Sequence, residues 1–283
     1  MPLPVMAGVI DRRILVNYRA DPAIVAGMLP APFHPKTVRG TALVGICLIR
    51  LRQVRPRFLP AWVGLGSENA AHRFAVEWDD HGTLREGVYV RRRDTSSYLN
   101  SFAGGRIFPG VHSHARFQVR ESETHFDIGI RSDDDVTRIH VVADLATALP
   151  PSSIFRSLQE ASDFFQAGSL GYSATASPDR HEGLELCCRE WTMEPLAVTL
   201  VRSSFFEDQA LFPPGSIALD SAFLMRRIAH EWHARGEMCC GEPAHPTRVA
   251  GLPAASAQEP ATVALRESPS DRTLSCSFGT SGR

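Results

Sequence analysis

The run ENAAHRFAVEW, residues 68–78, constrains the fold more than any other stretch, because its large apolar groups recur at every second position. Phe74, Val76 and Trp78 share one side of an extended chain, since successive side chains of a strand point to opposite faces. If that side faces the core, Glu68 and His72 face it too, and Asn69, Arg73 and Glu77 occupy the other side. An acidic group on an inward face requires a partner.

The flanking segments continue the pattern. TALVGICLIRL, residues 41–51, is apolar at both parities and rich in β-branched residues, as expected of a strand buried on both faces. DDHG at 79–82 is a turn signal, and GVYVRRR is the returning strand of a hairpin. In VHSHARFQV, Val111, Ala115, Phe117 and Val119 lie on one side, and His112, His114, Arg116 and Gln118 on the other, a face turned either to solvent or to a polar cavity. THFDIGI, RIHVVADL, LELCCREW and LAVTLV read as further strands.

Three segments carry helical spacing instead. Asp21 caps the first, with Pro22 at N1 and Ile24, Val25, Met28 and Leu29 in one stripe. SIFRSLQEASDFFQAG ends at Gly168, and SIALDSAFLMRRIAHEWHARG places Leu219, Phe223, Ala229 and Trp232 along a third helix. Residues 241–283, rich in Pro, Ala, Ser and Glu, lose periodicity and are expected to be a disordered tail. The expectation is therefore one α+β domain over residues 1–240, mainly antiparallel β, its sheet curled toward a partial barrel with a few flanking helices.

Charge and composition narrow the function. With 30 basic and 31 acidic residues the chain offers no general attraction for nucleic acid or an anionic membrane. No apolar segment reaches membrane-spanning length, and the six cysteines form no CxxC, which together point to a cytoplasmic protein with reduced thiols. GxSxG, P-loop and GxGxxG patterns are absent, so no nucleotide or other cofactor is expected. His230, Glu231, His233, Cys239 and Cys240 cluster without the i, i+4 histidine spacing of a helical zinc site, and no metal is expected there. Lys36 is the single lysine; the remaining cations are arginines, which clamp carboxylates and phosphates and form no imines.

GGRIFPGVHSHARF, residues 104–117, reads as a bend and strand start beside a cavity, with Gly104, Gly105 and Gly110 permitting the turn and Pro109 stiffening it. The polar residues near it and on the sheet, Arg19, Glu68, Asn69, Arg93, Arg106 and His112 among them, are the candidate site residues.

The runs NYRADP, LPAPFHP, ALVGICLIRLR, SENAAHRFAVEW, GVYVRRRDTSS, AGGRIFPGVH and LMRRIAHEWH, in that order over residues 10–235, resemble the uncharacterised family called domain of unknown function 2071. That family more distantly resembles the acetoacetate decarboxylase-like superfamily, which implies a curled, largely antiparallel sheet enclosing a small-molecule cavity. The resemblance implies a pocket arginine at Arg19 and a pocket carboxylate at Glu68. It also lays GGRIFPGVHS over the run that carries the decarboxylase's imine-forming lysine, where this chain has His112 and Ser113. Lys36, in HPKTVRG, reads as part of an exposed connection, so decarboxylation through an imine is not expected.

Two readings stay open. In one, an enzyme holds a small anionic keto or enol metabolite with Arg19 and Arg106, aided by Arg93 and Asn69, while His112 and Glu68 exchange a proton. In the other, the same pocket binds its ligand without turnover. Arg19 and Glu68 can also be read as a purely structural ion pair.

Overall fold

The computed structural model describes residues 4–98, 110–175, 177 and 179–239. The expected tail, 241–283, and residues 99–109 of the glycine-rich bend lie outside the described residues. The strands are β1 (Met6–Ala20), β2 (His34–Pro35), β3 (Thr37–Val38), β4 (Thr41–Pro56), β5 (Leu65–Asp80), β6 (Thr83–Thr95), β7 (His112–Glu121), β8 (His125–Ser132), β9 (Arg138–Leu145), β10 (Leu170–Ala174), β11 (Arg180–Cys188), β12 (Glu194–Ser203) and β13 (Ile217–Cys239). Among the described residues two α-helices accompany them, α1 (Pro22–Ala26) and α2 (Leu158–Ala167).

The strands form one mixed sheet in the order β11-β10-β6-β7-β8-β9-β12-β13-β1-β4-β5-β2, and two further pairings, β6 with β5 and β11 with β13, curl it into a ring. Its ladders are antiparallel except where β6 meets β10 and β7. The β5–β6 hairpin turns through His81 and Gly82, both at positive φ (53° and 84°), the backbone hand that suits the twist of paired strands.

A wall of four neighbouring strands, β13-β1-β4-β5, has apolar residues on both sides. One side carries Ile14, Ile46, Phe74, Val76 and Leu224, packed against Ile128 of β8 and Val141 of β9. The opposite side carries Leu15, Leu43, Ala75, Phe223 and Met225, packed against Phe165 of α2 and Leu186 of β11. Burial on both sides is why TALVGICLIRL is apolar at both parities, and it puts both sets of β5 side chains inside the molecule.

The same wall corrects the third helix. Ala222, Phe223, Leu224 and Met225 are all buried and alternate between the two cores. Four consecutive buried residues fit a strand between two apolar layers, whereas a helix would turn at least one of them to solvent. The first two helices form, each over a shorter span than read: the Asp21 carboxylate accepts from the Ala23 amide at 2.8 Å, and Ser157 Oγ accepts from the Glu160 amide at 3.1 Å, so that α2 starts at Leu158 and leaves Ile154 outside it. The first stops at Ala26, short of the stripe's end at Leu29.

Among the described residues no helix is long and apolar enough to cross a membrane. Cys47 and Cys188 are free thiols, but Cys187 is disulfide-bonded, contrary to the expectation of reduced cysteines throughout.

Candidate functional site

The second face of the wall, the one opposite Phe74 and Trp78, borders a cavity of about 120 Å³. Strand register builds its floor. Leu15, Cys47, Ala71 and Arg93 lie in one row across β1, β4, β5 and β6. Arg13 and Arg73 flank that row, on β1 and β5. Apolar walls come from Ile49, Leu51, Val88, Val90, Leu184 and Leu186. The polar lining includes Arg13, Asn69, Arg73, Arg93 and His112.

The three arginines share a property: among the described residues none of them forms an ion pair with a carboxylate. Arg13 donates from Nε to Cys47 Sγ (3.5 Å) and from Nη1 to Met225 Sδ (3.8 Å), both weak sulfur acceptors, and its guanidinium lies 5.8 Å from the Trp191 ring centre. Arg73, only 5% exposed, donates through Nη2 to the Asn17 carboxamide oxygen and rests 4.8 Å from the Phe165 ring centre, while its Nε has no acceptor among the described residues. Arg93 sends Nε and Nη2 to one oxygen, Ser173 Oγ, at 3.0 and 2.8 Å. Burial lowers Arg73 and Arg93 to about 10, so both remain cations at neutral pH. The carboxylate of Asp94, which also borders the cavity, is committed to Arg92 (3.0 Å) and Thr137 (3.1 Å).

His112 opens β7 beside these cations. Its Nδ1 lies 3.1 Å from the Gly110 carbonyl oxygen, so Nδ1–H donates there and Nε2 carries the ring's lone pair. Burial, and next the Arg93 charge, lower His112 to about 4, which keeps the ring neutral at physiological pH. Gly110 sets this geometry: it sits at φ 88°, its amide donates to Glu182 Oε2 at 2.6 Å, and a Cβ on it would lie 2.6 Å from Ser173 Cβ. One glycine therefore orients the histidine and leaves room for the serine that holds Arg93.

Of the six residues singled out in the sequence, His112, Arg93 and Asn69 line this cavity. Arg106 lies outside the described residues. Glu68 does not line the cavity: its two oxygens accept from Arg12 Nη2 (2.6 Å) and Arg50 Nε (2.5 Å), and Glu121 bridges the same two arginines. Arg19 is elsewhere as well, donating to the Ser152 carbonyl at 2.7 Å and lying 3.8 Å from Asp220, so it does not pair with Glu68. Lys36 is half-buried rather than exposed, paired with Glu86 and 4.5 Å from the Phe164 ring centre, outside the cavity lining. Glu231 is taken by Arg57 (3.4 Å) and His233 (3.0 Å), and no group of three or more metal-ligating side chains occurs among the described residues.

The residues that sequence reading passed over are Arg13, Arg73 and Cys47. A signal for Arg73 existed. The neighbouring run TALVGICLIRL is buried on both faces, which implies that both faces of the next strand are covered, and Asn69 and Arg73 share the face left over.

Several solved structures share the fold at low sequence identity. The acetoacetate decarboxylase from Legionella pneumophila subsp. pneumophila str. Philadelphia 1 superposes with a TM-score of 0.54 at 12% identity, covering 83% of this chain and 89% of that one. An acetoacetate decarboxylase-like enzyme from Sphingomonas wittichii RW1 gives 0.51 at 12% identity, over 84% and 93%. The enduracididine biosynthesis enzyme MppR, complexed with the condensation product of pyruvate and imidazole 4-carboxaldehyde, gives 0.56 at 11% identity, over 85% and 90%. These superpositions establish a common acetoacetate decarboxylase-like fold. No curated protein matches the chain. Residues 10–221 match DUF2071, described as an uncharacterized conserved protein (COG2071), and the chain belongs to that family.

Proposed function

We propose that this protein binds a small anionic keto or enol metabolite in the cavity between Arg13, Arg73, Arg93 and His112 and moves a proton on it without forming an imine. The observation that carries the reading is the set of three guanidinium groups bordering one cavity with no carboxylate partner among the described residues. Desolvated cations are costly unless an anion meets them, so the cavity is built for a negatively charged guest. Two of the like-folded structures hold small keto-acid chemistry: MppR is complexed with pyruvate in one and with a pyruvate condensation product in the other.

The division of labour follows from protonation states. The arginines hold the acid group and the oxygen of an enolate; neutral His112 accepts a proton at Nε2 from the carbon beside the carbonyl and returns it. A bound anion also opposes the Arg93 charge, which raises the affinity of His112 for that proton. Glu68, held by Arg12 and Arg50, takes no part in this reading. The chain's single lysine lies outside the cavity lining, which leaves imine chemistry without a nucleophile there.

The test combines binding with exchange. Thermal shift with pyruvate and related 2-oxo acids reads binding, because a ligand at 100 times its Kd adds about 2.7 kcal/mol, and for a domain of this size that raises the midpoint by roughly 5–10 °C. Nuclear magnetic resonance in deuterated buffer reads proton transfer as deuterium entering the carbon beside the carbonyl. The enzyme reading expects exchange that His112→Ala abolishes with binding mostly kept. Binding without exchange would make the protein a non-catalytic binder, and the absence of any anion binding would refute the site.

A further inference from the structure

We infer that the guest of this cavity carries two acid groups, so that the site selects small dicarboxylates, with or without a keto group, over monocarboxylates. The inference rests on the anion-pocket reading above and adds a charge count to it.

The count begins with what the rest of the molecule does. Elsewhere the fold brings acids to its buried and half-buried cations: Arg12, 3% exposed, meets both Glu68 and Glu121, and half-buried Arg92 meets both Asp94 and Asp134. With 31 acids to 30 bases, the chain has carboxylates enough to do the same at the cavity. It supplies instead an amide oxygen to Arg73, a hydroxyl to Arg93 and two sulfurs to Arg13. Each of these acceptors orients a guanidinium without neutralising it. A monoanion would leave two of the three charges uncompensated in a desolvated space, whereas a dianion would leave one.

Donor geometry leads to the same class of guest. Every guanidinium is a planar fork suited to two-point contact with a carboxylate. The acceptors that the protein provides use Nε and Nη1 of Arg13, Nη2 of Arg73, and Nε and Nη2 of Arg93. Donors are therefore left on all three groups, and they stand on three different strands, β1, β5 and β6, around one row of the sheet. Cations spread over the floor of a cavity suit acid groups at both ends of a short guest better than a single terminal one. The apolar wall from Val88, Val90, Leu184 and Leu186 fits the short carbon chain between the ends.

The test uses the full chain at low ionic strength and pH 7.5, with calorimetric titration of malonate, succinate and 2-oxoglutarate against acetate, propionate and pyruvate. Monomethyl succinate keeps the length of succinate and removes one charge, which separates charge from size. The expected result is dianion affinity at least about tenfold above that of the matching monoanions, with monomethyl succinate grouped among the latter. Arg93→Gln, a change that removes a desolvated cation held by a serine hydroxyl among the described residues, is expected to keep the fold and to shrink that ratio toward one. Arg13→Gln provides a second variant should the first lose its melting transition.

Monoanions binding within about threefold of dianions, with binding lost in Arg73→Gln, would overturn the two-acid inference and leave the anion pocket standing. Neither class binding to folded protein would overturn both. A dianion preference unchanged in both arginine variants would move the site away from this cavity and so reject the inference as well.

Discussion

The guanidinium of Arg73 on β5 reaches across β4 to the carboxamide oxygen of Asn17 on β1, passing over Gly45, which sits between them in the ladder. Asn17 is fully buried, and its amide nitrogen is fixed by the carbonyls of Leu15 (3.3 Å) and Ser221 (3.2 Å), which turns the oxygen toward the arginine. Three strands thus hold one cation in place with a neutral acceptor, and the positive charge remains available to a guest.

Gly45 is the point at which this arrangement is most easily broken. A Cβ there would lie 2.3 Å from the Val16 carbonyl oxygen and 3.3 Å from Asn17 Cα, both backbone atoms that cannot rotate away. Gly45→Ala is expected to cost about 1–3 kcal/mol of stability and to weaken anion binding more than Gly27→Ala, whose added Cβ meets nothing closer than 3.5 Å. Urea melts and malonate titrations of the two variants measure this; equal behaviour would show that the Arg73 to Asn17 crossing does not need the glycine.

Glu68 and Arg12 supply a contrasting prediction. Arg12 is 3% exposed and is met by Glu68 at 2.6 Å and by Glu121 at 2.5 Å. Removing one partner from a buried cation destabilises by several kcal/mol when no other acid is near. Because Glu121 remains, Glu68→Gln is expected to cost roughly 2 kcal/mol while anion affinity and proton exchange stay unchanged. Loss of exchange at full stability would return Glu68 to the chemistry.

Much of the architecture was legible because periodicity reports burial. The alternation in ENAAHRFAVEW separated the two faces of β5, and the Asp21 cap and the turn in DDHG follow from local chemistry. β13 was not legible: Leu219, Phe223 and Trp232 satisfy a helical stripe, and only packing on two sides shows that Ala222 and Leu224 are buried as well. The site was half legible for a related reason. Reading β5 as one-sided placed Glu68 and His72 inside and Arg73 outside, whereas both sides are covered and the cavity adjoins the Arg73 side. Nor can local sequence say which of the adjacent Arg12 and Arg13 has a counter-ion, since Glu121 lies 109 residues from Arg12.

Gly110 links the backbone to the two groups that define the site. At φ 88° it occupies a region that side chains with a Cβ rarely adopt, and its neighbour there would be Ser173. Gly110→Ala is expected to cost about 1–3 kcal/mol, to displace Ser173 from Arg93, and to shift His112 from the carbonyl that fixes its tautomer. The expected readout is anion affinity falling further than in Ser173→Ala, in which only the hydroxyl is lost. A smaller loss in the glycine variant would separate His112 from the backbone control argued for it.

The buried histidines predict how stability varies with pH. His72, His112 and His230 are each lowered to about 4, by burial first in every case, with Arg92 and Arg91 adding to the effect at His72 and Arg93 at His112. Their unfolded values lie near 6.5. On acidification the unfolded chain therefore takes up protons that the folded chain refuses, and stability, fully present above about 6.5, is lost as pH falls toward 4. Exposed carboxylates titrate mostly below pH 5, so the window from 7 to 5 isolates the histidines. The melting midpoint is expected to fall steadily across that window. His72→Phe, which replaces a 2% exposed ring packed against Phe205 and Phe206 with another ring, is expected to flatten the slope. A midpoint constant from pH 7 to 5, or an unchanged slope in the variant, would mean that these rings take up protons in the folded state as readily as in the unfolded chain.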